Sequence, residues 1–458
     1  MPAATTIEQL SEPFQGRLVE PQDADYDDVR SIYNAMIDKR PRLIARCADV
    51  ADVIAAVKLG REQHLDTAIR GGGHNGPGLA LVEDGLVIDL SGMTGIRVDP
   101  ETRTVRAEPG CRWRDVDHAT HPFGLATVSG IISTTGVSGL TLGGGHGYLT
   151  RKFGLTIDNL LSADVVLADG RLVHASADEH PDLFWALRGG GGNFGVVTSF
   201  EYRLHPVETV IAGPMFWPIE ELETTLRWYR EWLPQALEDV YAFYQTAEVP
   251  AVEPFPREIH GRKVCGLMWC CSGSEERANA AIQPARDVAE PIFEHVGPAP
   301  YPAVQSLFDD LYPPGLQWYW KGDFVREIPD EAIAEHLRFA EVPTSHSLMH
   351  LYPIDGAVHR VAAHETAWAH RDANWSMVIS GFDRDPANTE KITRSARDYW
   401  KAVHPHSAGA AYVNFLMEEG QDRIQATYGP NHQRLREVKA AYDPDNFFHV
   451  NQNIEPDR

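Results

Sequence analysis

Residues 69–78 read Ile69-Arg70-Gly71-Gly72-Gly73-His74-Asn75-Gly76-Pro77-Gly78, and set one histidine in a run that is half glycine. Glycine accepts positive φ and lets backbone approach a ligand closely, at a cost in chain entropy. Amides in such a run can surround an anion. A tight turn with an exposed His74 is the plainer reading. Recurrence decides between them. Residues 129–147, SGIISTTGVSGLTLGGGHG, and 188–195, RGGGGNFG, are also glycine-rich. Three such loops within about one domain length imply a long ligand lying against backbone at several points, as a dinucleotide would. None follows the strand–GxGxxG–helix order with an acidic residue about 20 positions on, and no Gly-Lys-Ser/Thr is present, so Rossmann and P-loop readings are poor.

Outward from these loops, short helical and strand patterns alternate between about Pro41 and Pro206. Ala48–Gln63 carries Val50, Val53, Ile54 and Val57 on one helical face. LDTAIR, GLVIDL, TVRAEPG and FGVVTSFEYRLHPV read as strands, and WRDVDHATHPFG as a helix ending at glycine. Ser162–Ser176 reads as a hairpin turning at Asp169-Gly170. From about Val207, amphipathic segments such as IEELETTLRWYREWL alternate with strand-like VCGLMWCC and WSMVISGF. The tail turns helical at RLREVKAAY and stops at Asp443-Pro444-Asp445. The expected class is α+β. The expected domains are residues 1–206 (core about 37–206), 207–411, and a C-terminal segment, 412–458, returning to the first.

Composition narrows the function. The 458 residues allow two or three domains, and the formal net charge of −24 disfavours nucleic acid and anionic membranes. No apolar run approaches the roughly 20 residues that span a bilayer. The opening MPAATTIEQLSEPFQG has no signal-peptide pattern, so a cytoplasmic location is expected. Cys47, Cys111, Cys265, Cys270 and Cys271 are odd in number without metal-type spacing, so no disulfide framework and no metal site are expected. Oligomeric state is not legible.

Four stretches then become specific: RGGGHN (70–75), GVSGLTLGGGHGYLTRKFGLTIDNLLSADVVLADG (136–170), LFWALRGGGGNFGVVTSF (183–200) and YGPNHQRLREVKAAYDPDNFFHVNQNI (428–454). Together they resemble the berberine-bridge-enzyme-like branch of the vanillyl-alcohol-oxidase flavoprotein family, from about Pro41 to Ile454. The resemblance implies a PCMH-type FAD-binding domain of two α+β subdomains. A substrate domain then roofs the isoalloxazine ring with an antiparallel sheet flanked by helices. It implies that the backbone amides of Arg70, Gly71, Gly72 and Gly73 cradle the diphosphate, that Asn75 also contacts FAD, and that His74 bonds covalently to the flavin. Gly130, Thr134, Thr135, Gly136, Gly139, Gly143, Gly144, Gly147, Gly195 and Val197, with Asn451 and Asn453 of the tail, are the further expected FAD contacts. Some relatives add a second link through a cysteine four residues before Gly136. Here that residue is Ile132, so a single link is expected. Thr135 is small, and small residues there leave O2 a route to the flavin.

The resemblance also implies the reaction: hydride from a C–H beside an alcohol or amine to FAD, then to O2, giving H2O2 from a small-molecule substrate. A flavin-dependent dehydrogenase using another acceptor, an NAD-linked dehydrogenase and a flavin-binding protein without turnover are the competing readings. His350, three residues before Pro353, stands where some relatives project a general base, and histidine has a suitable pKa. The alternative is a packed sheet histidine. Tyr352 shares its face. Tyr412 and Asn414 resemble a Tyr-x-Asn active-site segment. In QWYWKGDFV, alternation puts Tyr319 and Lys321 on one face and Trp318 and Trp320 on the other. Lys321 is read as a residue near the flavin, or as a sheet-edge lysine. His146 is assigned no role.

Overall fold

A computed structural model describes residues 14–340 and 347–457. The opening stretch Met1–Pro13, read above for its missing signal pattern, lies outside them. The class is α+β. Strands β1 (Arg17–Val19), β2 (Leu43–Arg46), β3 (Thr67–Arg70) and β4 (Leu86–Asp89) form a sheet in the order β1-β2-β4-β3. Its β2, β3 and β4 are parallel. Helix α1 (Val50–Glu62) starts where the Asp49 carboxylate accepts the Asp52 amide at 3.0 Å, an N-cap. It buries Val53, Ala56 and Val57 in the core shared with β2 and β4.

A second sheet is antiparallel. It contains β5 (Ile96–Asp99), β6 (Thr104–Ala107), β7 (Leu160–Val166), β8 (Leu172–Ser176) and β9 (Val196–Arg203), ordered β5-β6-β9-β7-β8. The expected β7–β8 hairpin forms, with Gly170 at φ +82°. The expected helix at WRDVDHATHPFG is shorter than its pattern: α2 (Trp113–Thr120) gives way to a 3-10 turn at His121–Phe123, and Gly124 reverses the chain at φ +66°.

The largest sheet carries β10 (Thr209–Pro218), β11 (Val240–Glu248), β12 (Lys263–Cys271), β13 (Gln317–Val325), β14 (Ser347–Pro353) and β15 (Trp375–Asp383) in the order β10-β12-β11-β14-β15-β13, with all neighbours antiparallel. Helices Leu222–Trp232, Glu275–Val288, Asp330–Ala340 and Thr389–Val403 pack Leu226, Ile282, Ile333 and Ala396 against one face, where Leu267, Leu351, Met377 and Ile379 lie. The other face, carrying Phe243, Met268, Tyr352 and Val378, meets the first half of the chain. Among the described residues no helix is long and apolar enough to cross a membrane.

Candidate active site

A cavity of about 360 Å³ lies between the three glycine loops and the uncovered face of the large sheet. Its floor begins where β3 ends. The amides of Gly71, Gly72, Gly73, His74 and Asn75 donate to no carbonyl or side chain among the described residues. Five adjacent unpaired donors in a concave loop form an anion-binding nest. Gly72 must be glycine for a second reason: a Cβ there would meet the Gly136 backbone at 2.5 Å. The first two loops therefore touch backbone to backbone. Gly139 and Gly192, by contrast, border open space, with nothing within 4 Å of an added Cβ.

His74 stacks on Tyr33, with ring centroids 4.1 Å apart. Burial, helped by the Arg112 charge, pulls its pKa down to about 3, against a weaker opposing contact from the Thr134 backbone. The imidazole is thus neutral and its lone pair available at physiological pH. The five cysteines are free and buried, and none lines the cavity. Cys111 turns its thiol to the Gly95 carbonyl, and burial pushes it up to about 12.

Many of the expected cofactor residues line this cavity: Gly71 to Asn75, Gly130, Thr135, Gly136, Gly139, Gly195, Val197 and Asn451. Asn451 Nδ2 also donates to the carbonyls of Gly192 and Phe448, tying the tail to the third loop. Other expected residues stand behind the lining. The Arg70 guanidinium pairs with buried Asp89 at 2.6 Å and anchors β3 to β4. Added Cβ atoms at Gly143, Gly144 and Gly147 would strike Asn414, Trp368 and the Ser129 carbonyl, so these glycines serve close packing. The Thr134 hydroxyl and the Asn453 side-chain oxygen are buried without partners outside it.

The opposite wall comes from β13, β14 and β15. Trp318, Trp320, Leu348, His350, Tyr352, Val378 and Ser380 point to the cavity. His350 Nδ1 lies 2.5 Å from the Tyr352 hydroxyl, while Nε2 has no partner. Burial pulls the His350 pKa to about 3. Tyr412 and Asn414 reach the same space from the C-terminal segment. The Tyr412 oxygen accepts from the Gly145 amide at 3.2 Å and from Asn414 Nδ2 at 2.7 Å. Burial raises its pKa, and those two bonds oppose the rise.

Lys321 requires correction. It lies on the helix-covered face, where Nζ sits 2.5 Å from Glu419 and 4.2 Å from the Trp400 ring centroid. Strand alternation turns it away from the cavity that Trp320 lines, so it does not reach a cofactor or substrate there.

Sequence reasoning passed over His146. It lines the cavity, ringed by Tyr412, Tyr352 and Phe415 at centroid distances of 4.8, 5.4 and 5.7 Å. Neither ring nitrogen has a partner, and burial pulls its pKa to about 3. The available signal was the second GGGH, residues 143–146, echoing residues 71–74.

This geometry agrees with what the chain is similar to. Residues 41–176 match a family model described as FAD binding domain, and residues 411–455 one described as berberine and berberine like. An FAD-linked oxidoreductase of Dictyostelium discoideum is 30% identical, covering 99% of this chain and 98% of its own. The (R)-6-hydroxynicotine oxidase of Paenarthrobacter nicotinovorans is 31% identical over 97% of both chains. The crystal structure of 6-hydroxy-D-nicotine oxidase from Arthrobacter nicotinovorans superposes with a TM-score of 0.88 at 28% identity, covering 97% of this chain and 98% of that one. A xylooligosaccharide oxidase from Myceliophthora thermophila, at 23% identity and TM-score 0.86, covering 98% and 99%, shares the fold.

Proposed function

The chain belongs to the berberine-bridge-enzyme-like FAD-linked oxidoreductases, and on that premise we propose that it is an oxidase acting on a C–H beside an alcohol or amine. For a secondary alcohol the reaction balances when each turnover consumes the alcohol and one O2 and forms the ketone and one H2O2. The observation that carries this reading is one cavity with an unpaired amide nest ending at neutral His74 on its floor, and His350, Tyr412 and Asn414 across it.

FAD held there supplies the hydride acceptor. The amides from Gly71 to Asn75 hold its diphosphate. His74 forms the single covalent link, since Ile132 cannot form a second and no cysteine lines the cavity. His350 is the general base, taking the substrate proton at Nε2. That role needs the tautomer in which Nδ1–H donates to the Tyr352 oxygen, and the 2.5 Å contact can hold it. Tyr412 orients the substrate. Gly145 and Asn414 fill its acceptor positions, and its own hydrogen has only a long 3.4 Å contact to the Leu140 carbonyl. Thr135 leaves the cavity open to O2.

Acid-precipitated protein should stay yellow, with the flavin mass on the peptide containing His74. His74→Ala should leave the flavin removable. Substrate should yield one H2O2 per turnover in aerated buffer. Flavin found on a cysteine peptide overturns the single link, and reduced protein that fails to consume O2 overturns the oxidase reading.

A further inference from the structure

The loop that carries His74 is gripped from outside the three glycine runs. Residues 32–36, between β1 and β2, bridge that loop and the large sheet beside the cavity. The Tyr33 amide donates to the Gly73 carbonyl at 3.1 Å, and the Tyr33 carbonyl accepts from the Gly315 amide at 3.2 Å. The Tyr33 hydroxyl donates to the Tyr312 carbonyl at 2.8 Å. Asn34 is buried and fills all four hydrogen-bonding positions of its side-chain amide. Its Nδ2 donates to the carbonyls of Gly76 and Trp318, and its Oδ1 accepts from the amides of Trp318 and Met36. The Ala35 amide donates to the Leu316 carbonyl at 2.9 Å. One carbonyl before His74 and one after it are therefore held by residues that also hold β13. Gly76 is pinned as well, since a Cβ there would meet the Trp320 ring at 2.3 Å.

This bracing fixes where the Tyr33 ring stands. It lies against His74 with centroids 4.1 Å apart and planes 18° from parallel, and it stacks on Trp318 at 6.0 Å. The electrostatic neighbours of the imidazole are the Arg112 charge and the Thr134 backbone, while the group covering its face is Tyr33. A histidine ring turns freely over a broad range of χ2. A stacked neighbour held from both ends therefore decides where its nitrogens aim. That matters for bond formation, where a misplacement of about 1 Å can cost about 100-fold in rate.

We propose that Tyr33 is the positioning residue for flavin attachment: braced between the glycine loop and the large sheet, its ring holds the His74 imidazole in the orientation that bonds the cofactor. This rests on the covalent link proposed above. Attachment forms one bond between an imidazole nitrogen and the flavin 8α-carbon, and breaks the imidazole N–H and one methyl C–H. The two electrons and two protons released pass through the flavin to O2, giving one H2O2. The test uses the full-length protein purified with its flavin. Acid precipitation separates bound from released flavin, and the share retained in the pellet is the readout. Wild type should retain nearly all of it, and so should Tyr33→Phe, which keeps the ring. Tyr33→Leu and Tyr33→Met keep bulk but lose the ring. Both should retain less than half, with total flavin per chain before acid unchanged. Retention above half in either ring-less variant overturns the proposal, and so does a Tyr33→Phe as depleted as Tyr33→Leu. Ring-less variants that lose all flavin, or do not fold, make Tyr33 a structural residue and overturn it too. Wild-type flavin wholly released by acid sinks the covalent link and this inference together. Flavin retained by wild type and ring-less variants alike sinks this inference alone.

Discussion

At the scale of single residues, His146 poses the sharpest question. A buried polar atom left unpaired costs about 1–3 kcal/mol, and His146 carries two such atoms in an aromatic ring of neighbours. A phenylalanine would fill that space without the penalty. His146→Phe should therefore raise thermal stability while lowering the rate of flavin reduction by substrate. Removing a hydrogen bond between that imidazole and the substrate explains the second effect; simple packing cannot. Calorimetry and anaerobic stopped-flow on one preparation check both, and a variant that is stabilised yet equally fast returns His146 to packing. His350 differs because one of its nitrogens already has a partner. With its pKa near 3, the base reading gives no rate limb near 6.5, where an exposed histidine would place one.

At the scale of elements, strand β13 shows what periodicity can and cannot decide. Alternation correctly separated Tyr319 and Lys321 from Trp318 and Trp320. It could not say which pair faces the cavity, because helices bury one face and the first half of the chain buries the other. A strand buried on both sides has no polar face to mark its orientation. The glycine loops have the same ambiguity. Gly71 and Gly143 look alike in sequence, yet one offers an unpaired amide to the cavity and the other admits Asn414. Strand and helix positions were legible because they follow local apolar spacing. Which glycine fronts a ligand depends on contacts hundreds of residues apart. Lys321→Met tests the corrected placement. Losing one partner of a buried ion pair costs about 3–5 kcal/mol when the other is stranded, but Glu419 keeps Arg423 at 3.1 Å. The expected loss is thus smaller and confined to stability, with flavin absorbance and substrate KM unchanged. A shifted flavin spectrum would put Lys321 back at the cofactor.

At the scale of the whole molecule, buried neutral histidines set the acid limit. Apart from His74, which is proposed to carry the flavin, His146 and His350 titrate near 3 and His205 and His336 near 4, all lowered chiefly by desolvation. The unfolded chain binds these protons near 6.5, so stability is intact above that pH and falls as pH drops toward 4. At pH 5 each histidine removes about 2 kcal/mol, roughly 8 together, by the linkage relation. Asp117 works the other way. Burial pushes it up to about 7, so its penalty is largest above pH 7 and eases on acidification, returning roughly 2 kcal/mol by pH 5. Four histidines outweigh one aspartate, and the net is a loss of roughly 6 kcal/mol between pH 7.5 and 5. Urea unfolding of the holoprotein at several pH values should show this decline beginning near 6.5, with proton uptake on unfolding measured by calorimetry in buffers of different ionisation enthalpy. His146→Phe removes one of the four protons and should flatten the slope by about a third, about 2 of the net 6 kcal/mol. A stability profile level from pH 7.5 to 5 would mean that the imidazoles are solvated, and the neutral state assigned to His146 and His350 in the cavity would fall with it.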